Sequence, residues 1–291
     1  MKQYEGKIAY AFRKTFVFYL IATLLFLSVP VQISEAATVR LNKKTASVRV
    51  EKSIRLTVSG TKKSVKWSSS DSSVATVSSG KVTGKKPGKA VISAKVAGKT
   101  LKCSVTVKYN ASAANKKITS KTTNLYSGIL IRYTNKNKYP VSLKTTLSFR
   151  DTAKTVLSKE EDHNFCLAPG KSTYMYFPKP VNENNQYIDY ADYKVSMSSS
   201  ATRFKDYTED ITYWCTPGNV NMTATAYNYS GKNLTAVRVS YLLYDKSGRV
   251  IAYIPYYPSC LKKGTHCEEP VNYPVYCSSP AKVKGFIDYA Y

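Results

Sequence analysis

The sequence predicts an all-β chain of tandem small sandwiches that follow a cleaved N-terminal segment. Three observations predict it. Apolar and polar residues alternate with period two over several short runs. Gly, Pro, Asp and Ser punctuate those runs at turn positions. No segment beyond the N-terminus sustains a helical period. The 291 residues suffice for two or three domains, and a composition that is 43% hydrophobic and 12% aromatic belongs to a folded chain.

The first segment, residues 1–36, has the tripartite pattern of a signal peptide. Lys2, Lys7, Arg13 and Lys14 form a positive region, and an uncharged, largely apolar run of 14 residues spans 16–29. That run is short for a membrane-spanning helix, which needs about 20 residues. Small residues precede the expected cleavage between Ala36 and Ala37. An uncleaved anchor is the alternative, and the small-residue exit argues against it. The chain is therefore expected outside the cell, secreted or held at the cell surface, with no transmembrane anchor after cleavage.

Residues 38–109 come next. Ile54, Leu56 and Val58 alternate with Ser53, Arg55 and Thr57, and Ala90, Ile92, Ala94 and Val96 alternate with Val91, Ser93 and Lys95. Leu101, Cys103, Val105 and Val107 do the same against Lys102, Ser104 and Thr106, which places Cys103 in the core. Turn signals at Ser79-Gly80, Gly84, Pro87-Gly88 and Ala97-Gly98 separate the runs. Strands that each bury one face close into two packed antiparallel sheets. Residues 110–118 are small and polar and are expected to be a linker.

The remainder divides into two similar halves, 119–206 and 207–291. A shift of 94 residues, without a gap, pairs Tyr133 with Tyr227, Asp151 with Asp245, Cys166 with Cys260 and Gly170 with Gly264. Leu143, Phe149 and Leu157 fall opposite Val237, Leu243 and Ile251. Each half reads as strand, polar turn, long strand, Asp-containing hairpin, strand. Asp245 and Gly248 carry the turn chemistry of the second hairpin.

Two resemblances follow from these residues. Val39-Arg40-Leu41-Asn42, Val65-Lys66-Trp67-Ser68-Ser69-Ser70-Asp71, Val74-Ala75-Thr76-Val77, Gly80-Lys81-Val82-Thr83-Gly84 and Pro87-Gly88-Lys89-Ala90 closely resemble the bacterial immunoglobulin-like group 2 family. That resemblance implies an Ig-like sandwich displayed outside a bacterial cell, and no fixed ligand. Tyr241-Leu242-Leu243-Tyr244-Asp245 resembles the core of the FxLYD-type extracytoplasmic domain. Copy one, Leu147-Ser148-Phe149-Arg150-Asp151, departs from that motif.

Charge points to a class of partner. There are 44 Lys and Arg against 18 Asp and Glu, a net charge of +26, and residues 38–109 alone hold 17 bases and two acids. The excess falls to +8 over 110–205 and +1 over 206–291. Lys62, Lys63, Lys66, Lys85, Lys86 and Lys89 are the candidate contacts to a polyanion such as an anionic cell-wall or surface glycan. A specific nucleic-acid target is not expected of an exported chain. Tyrosine is the other bias, with 21 of 25 tyrosines beyond residue 117. Tyr253, Tyr256 and Tyr257, beside Pro255 and Pro258, are the candidates for an exposed surface that meets a glycan or a partner protein.

Catalytic and metal chemistry lack a centre. Asp162 and His163 are adjacent, so on a strand they point to opposite faces. Glu160-Glu161 and Glu268-Glu269 lie in polar stretches, and no nucleophile elbow, paired Cys-x-x-Cys or Asp-rich calcium loop is present. No cofactor is expected. Cys215, Cys260, Cys267 and Cys277 are the candidates for one or two disulfides, with the pairing open. The expected function is non-catalytic adhesion or binding through cell-wall polyanions or a surface protein. A carbohydrate-binding protein that uses the Tyr-rich repeats is the alternative.

Overall fold

A computed structural model describes residues 38–291 apart from residues 260 and 278. The signal segment with its Ala36–Ala37 junction, and Cys260, lie outside the described residues. Arg40–Leu41 (β1) and Val58–Ser59 (β4) form a two-stranded ladder, in which Ser59 Oγ donates to the Arg40 carbonyl. Residues 41–57 and 63–291 form the other compact unit.

In that unit, the first sandwich uses β2 (Thr45–Arg49), β3 (Ser53–Arg55), β5 (Lys66–Ser69), β6 (Ala75–Ser78), β7 (Lys81–Gly84), β8 (Gly88–Val96) and β9 (Lys99–Lys108). One sheet has the order β2-β9-β8-β5 and the other β3-β7-β6. The alternation works as the sequence predicts: Ala90, Ile92, Ala94 and Val96 are buried, as are Cys103, Val105 and Val107. Each fully buried Ile or Val side chain contributes about 1.5–3 kcal/mol relative to exposure. One expectation fails, because the sheets are not wholly antiparallel. β2 runs parallel to β9, pairing Thr45 with Ser104 and Arg49 with Lys108. Gly80 is obligatory at its turn. Its φ is +78°, and an added Cβ would sit 2.3 Å from the Leu56 carbonyl oxygen, whose own N–H donates to Gly80 O.

The expected linker is instead packed structure. Ala111–Asn115 form a short helix, α1, and Ala114 is fully buried in a core that is continuous from the first sandwich into the second. Asn110 explains the helix. Its side-chain oxygen accepts from Ala113 N, and its Nδ2 donates 2.9 Å to the Val50 carbonyl. Asn137 Nδ2 donates to Ala114 O, and Lys117 pairs with Glu51. Small residues read as solvated in sequence are here small because two sandwiches close over them.

The second sandwich has strands β10 (Ile118–Leu125), β11 (Gly128–Asn135), β12 (Val141–Arg150), β13 (Val156–Leu167), β14 (Ser172–Pro178) and β15 (Asp192–Ala201). The third has β16 (Ile211–Pro217), β17 (Asn221–Asn228), β18 (Val237–Tyr244), β19 (Val250–Tyr256), β20 (His266–Asn272) and β21 (Lys282–Ala290). Sheet orders β10-β11-β14 and β13-β12-β15 reappear as β16-β17-β20 and β19-β18-β21. The hairpins match too: Asp151 Oδ1 accepts from Thr155 N, and Asp245 Oδ1 accepts from Arg249 N.

The repeat is therefore real, but it contains a gap. Asn135 Nδ2 donates to the carbonyls of Tyr139 and Leu167, while Asn228 Nδ2 donates to those of Lys232 and Leu261. Asn135 and Asn228 are 93 positions apart, whereas Leu167 and Leu261 are 94 apart. The loop after the second asparagine is one residue longer. The structural counterpart of buried Tyr133 is thus buried Ala226, and its match to Tyr227 in an ungapped shift is coincidental.

Sandwiches two and three meet face to face. Leu125 and Leu130 pack on Leu242 and Tyr253, flanked by Tyr174, Tyr176 and Phe286. A buried ionic cluster lies in the same junction. Asp288 is fully buried and accepts from Thr173 Oγ1 and Tyr174 N on one sandwich, and from Arg238 Nε at 3.0 Å and Ser240 Oγ on the other. Arg238 Nη1 reaches Asp162 Oδ1 at 2.9 Å, and Nη2 donates to the Tyr174 carbonyl. Burial pushes the Asp288 carboxyl up, while Arg238 and the donated hydrogen bonds pull it back.

Candidate functional site

Six of the 17 basic residues in 38–109 share one sheet face. In β2-β9-β8-β5 the core takes every second residue, so the others point out together. Register places Lys66 directly opposite Lys95, and Arg49 directly opposite Lys108. Lys102 lies opposite Ser93, and Lys89 opposite Thr106. All six cations are exposed. The four strands contain no carboxylate, and the positions between the cations are Ser, Thr and one exposed Val91. The first sandwich's two acids are engaged elsewhere: Glu51 pairs with Lys117, and Asp71 Oδ1 accepts from Ser73 N and Val74 N in its own turn.

Like charges directly opposite one another destabilise a sheet. Two such pairs on one face therefore oppose stability, and nothing in the core requires them. Of the six lysines singled out in sequence, only Lys66 and Lys89 belong to this face. Lys85 and Lys86 lie in the turn between β7 and β8, and Lys62 and Lys63 precede β5 in the chain. Arg49, Lys95, Lys102 and Lys108 were missed. For Lys95, Lys102 and Lys108 the signal was present in the alternation, since each is an outward position of a run whose inward positions are identified above; the strand of Arg49 was not read from the sequence.

The tyrosines need correction. Tyr253 is only 6% exposed and Tyr256 only 5%. Both belong to β19, which tolerates Pro255 because it is the edge strand of its sheet. Tyr253 packs into the junction between sandwiches and lies 3.0 Å from Ser240 Oγ; burial pushes its phenol well above the ordinary value. Tyr256 packs in the core of the third sandwich, with its Oη 3.5 Å from Cys267 Sγ. Tyr257 alone of the three is exposed, at 59%. Of the two readings that the prolines allow, an edge strand or a loop, Pro255 marks the edge strand, and an edge strand here does not mean exposed rings.

An exposed aromatic cluster forms instead at the junction. Tyr126, in the β10–β11 turn, is 63% exposed, and its ring centroid lies 5.5 Å from Tyr187 and 5.2 Å from Tyr276. Tyr276 comes from a 3-10 turn of the third sandwich, Val275–Cys277, and its hydroxyl donates to Ser127 Oγ. Tyr176 Oη donates to the same residue, and burial pushes that phenol up to about 12. Lys179 Nζ sits 5.7 Å from the Tyr126 ring and 5.8 Å from that of Tyr187.

The other candidate chemistry is occupied by structural bonds. Asp162 faces Arg238, whereas His163 turns to the opposite side and stacks on Phe165. A cleft of about 360 Å³ between sandwiches two and three includes Cys166, Lys171, Asp206, Glu209 and Asp288. Asp206 accepts from Thr208 N, Glu209 pairs with Lys171, and Cys166 Sγ donates to the Phe204 carbonyl. Cys215, half-buried, and Cys277, buried, carry free thiols, and burial pushes both up. Among the described residues no group of three or more His, Cys, Asp or Glu could hold a metal ion. Among them, too, no helix is long and apolar enough to cross a membrane.

The strand orders β2-β9-β8-β5 and β3-β7-β6 define a small two-sheet β-sandwich of Ig-like type. Residues 35–107 match the family model of the bacterial Ig-like domain (group 2), and the first sandwich is such a domain. Domains of this family are usually extracellular or surface-exposed and typically non-catalytic. No curated protein matches the chain.

Proposed function

We propose that this protein is a secreted, non-catalytic adhesion module that stays at the bacterial surface, using its first sandwich to contact anionic wall polymers or surface glycans. The observation that supports this most directly is the acid-free face of β2-β9-β8-β5, with Lys66 opposite Lys95 and Arg49 opposite Lys108. Such a face attracts any polyanion, and the serines and threonines between the cations supply hydroxyl donors to phosphate or carboxylate oxygens. A short helix packs the second sandwich onto the first, and the two share one core. The excess is greatest in the first sandwich, +15 over 38–109 against +8 over 110–205 and +1 over 206–291, and this gradient argues against a charge spread evenly for solubility.

The test is retention of the whole chain on purified wall and on an immobilised phosphodiester-rich wall polymer across a salt series. Retention is expected to fall steeply as the screening length shrinks from about 10 Å at 0.1 M salt to about 3 Å at 1 M. The triple variant Lys66→Gln, Lys95→Gln, Lys102→Gln should lose most of the retention. Relief of the opposed charges should leave its stability unchanged or raised by up to about 1 kcal/mol. Undiminished retention by that folded variant rejects this face.

A further inference from the structure

Beside the aromatic cluster, a groove of about 520 Å³ runs along the junction of the second and third sandwiches, within the size range of small-molecule sites. It is lined by Tyr126 and Tyr276, by the apolar side chains of Leu125 and Val250, and by Asn124 and Arg249. The composition is not that of an ordinary solvated seam. Two tyrosine rings, 63% and 42% exposed, are held in place by aromatic contacts and by the Tyr276–Ser127 hydrogen bond, so little ring freedom remains to be lost on binding. The Arg249 side chain is 81% exposed, and its Nε donates 2.8 Å to Asp245 Oδ2. Both of its terminal nitrogens lack a hydrogen-bond partner among the described residues.

We propose that this groove binds an acidic sugar residue of a glycan, of the uronic acid class. A pyranose ring presents an apolar C–H face to a tyrosine ring, which suits a flat aromatic better than water does. Its carboxylate matches the unused edge of the Arg249 guanidinium, which is built for two parallel hydrogen bonds to such a group. Asn124 offers both a donor and an acceptor to ring hydroxyls. Arg249 is the one charged residue of the lining, and although Asp245 holds its Nε, its terminal nitrogens favour an acidic sugar over a neutral one. The site stands apart from the basic sheet face, is built by different sandwiches, and does not depend on the function proposed for that face.

The experiment is an NMR titration of the whole chain with a tetra-oligouronate, beside a neutral cello-oligosaccharide and an acidic peptide. Saturable binding of the oligouronate is expected, at least tenfold tighter than the neutral sugar. Tyr126→Ala should weaken it at least tenfold with the unfolding temperature unchanged, and Tyr126→Phe should retain it. Arg249→Gln should abolish the preference for acid over neutral and keeps the test decisive if the alanine variant misfolds. Retained binding in the Lys66→Gln, Lys95→Gln, Lys102→Gln variant is also expected, and its loss would assign the signal to the basic face. The proposal is overturned by unchanged binding in a folded Tyr126→Ala chain, by equal affinity for the neutral sugar, or by a response to the peptide alone.

Discussion

Asn135 and Asn228 show how one side chain can specify a fold at a distance. Each amide spans a loop and reaches a carbonyl over 30 residues away, in a site where water does not substitute. Removing it takes a donor from carbonyls at both ends of the loop, although Leu261 O keeps its bond from Leu234 N; each buried hydrogen bond lost costs about 0.5–1.5 kcal/mol, and more where a carbonyl is left unpaired. Asn135→Ala and Asn228→Ala should therefore destabilise their sandwiches by about 2 kcal/mol or more, measured by denaturant unfolding. Asn135→Asp should be no rescue, because a carboxylate cannot donate to either carbonyl. Paired asparagines with this role cannot be found from composition, since each partner carbonyl is a backbone atom that any residue supplies.

Strands obey the alternation of their sequences closely, and the failures are informative. β8 and β9 bury the residues that period two predicts, because both have one face on a core and one in solvent. β18 does not alternate: Val237 to Leu243 are all buried, since its inner face meets its own sandwich and its outer face meets the second. β19 hides Tyr253 and Tyr256 for the same reason, one on each face. Tyr256→Ala should cost about 3–5 kcal/mol by opening a cavity in the third sandwich. Tyr257→Ala, one residue on and exposed, should stay within about 0.5 kcal/mol of the parent. Thermal unfolding of the two variants side by side checks both; equal values would mean that β19 is not packed as described.

At the scale of the molecule, two junctions differ in kind. The first and second sandwiches share an apolar core closed by α1, whereas the second and third are joined by apolar packing around a buried Asp162–Arg238–Asp288 cluster. Breaking a buried ion pair from one side leaves a buried charge uncompensated, at about 3–5 kcal/mol. Arg238→Ala should accordingly separate the unfolding of the third sandwich from the rest, seen as a second transition in denaturant. Arg238→Met is expected to cost less only in combination with Asp288→Asn, which removes the opposing charge. A single unshifted transition in Arg238→Ala would show that the cluster does not couple the two sandwiches.

The sequence by itself determined the class of the fold, the family of the first sandwich, the existence of a repeat and the sign and location of the charge. Alternation, turn residues and composition are local patterns, and the repeat is read by comparing such local patterns 94 residues apart. What tertiary structure decided was every relation between segments. It put Lys66 opposite Lys95, buried Tyr253 and Tyr256, exposed Tyr126 beside Tyr276, packed the expected linker into a core and placed a one-residue gap in the repeat. Such relations depend on strand register and on which faces meet, and a strand carries no mark in its own residues of whether its outer face will meet water or another sheet.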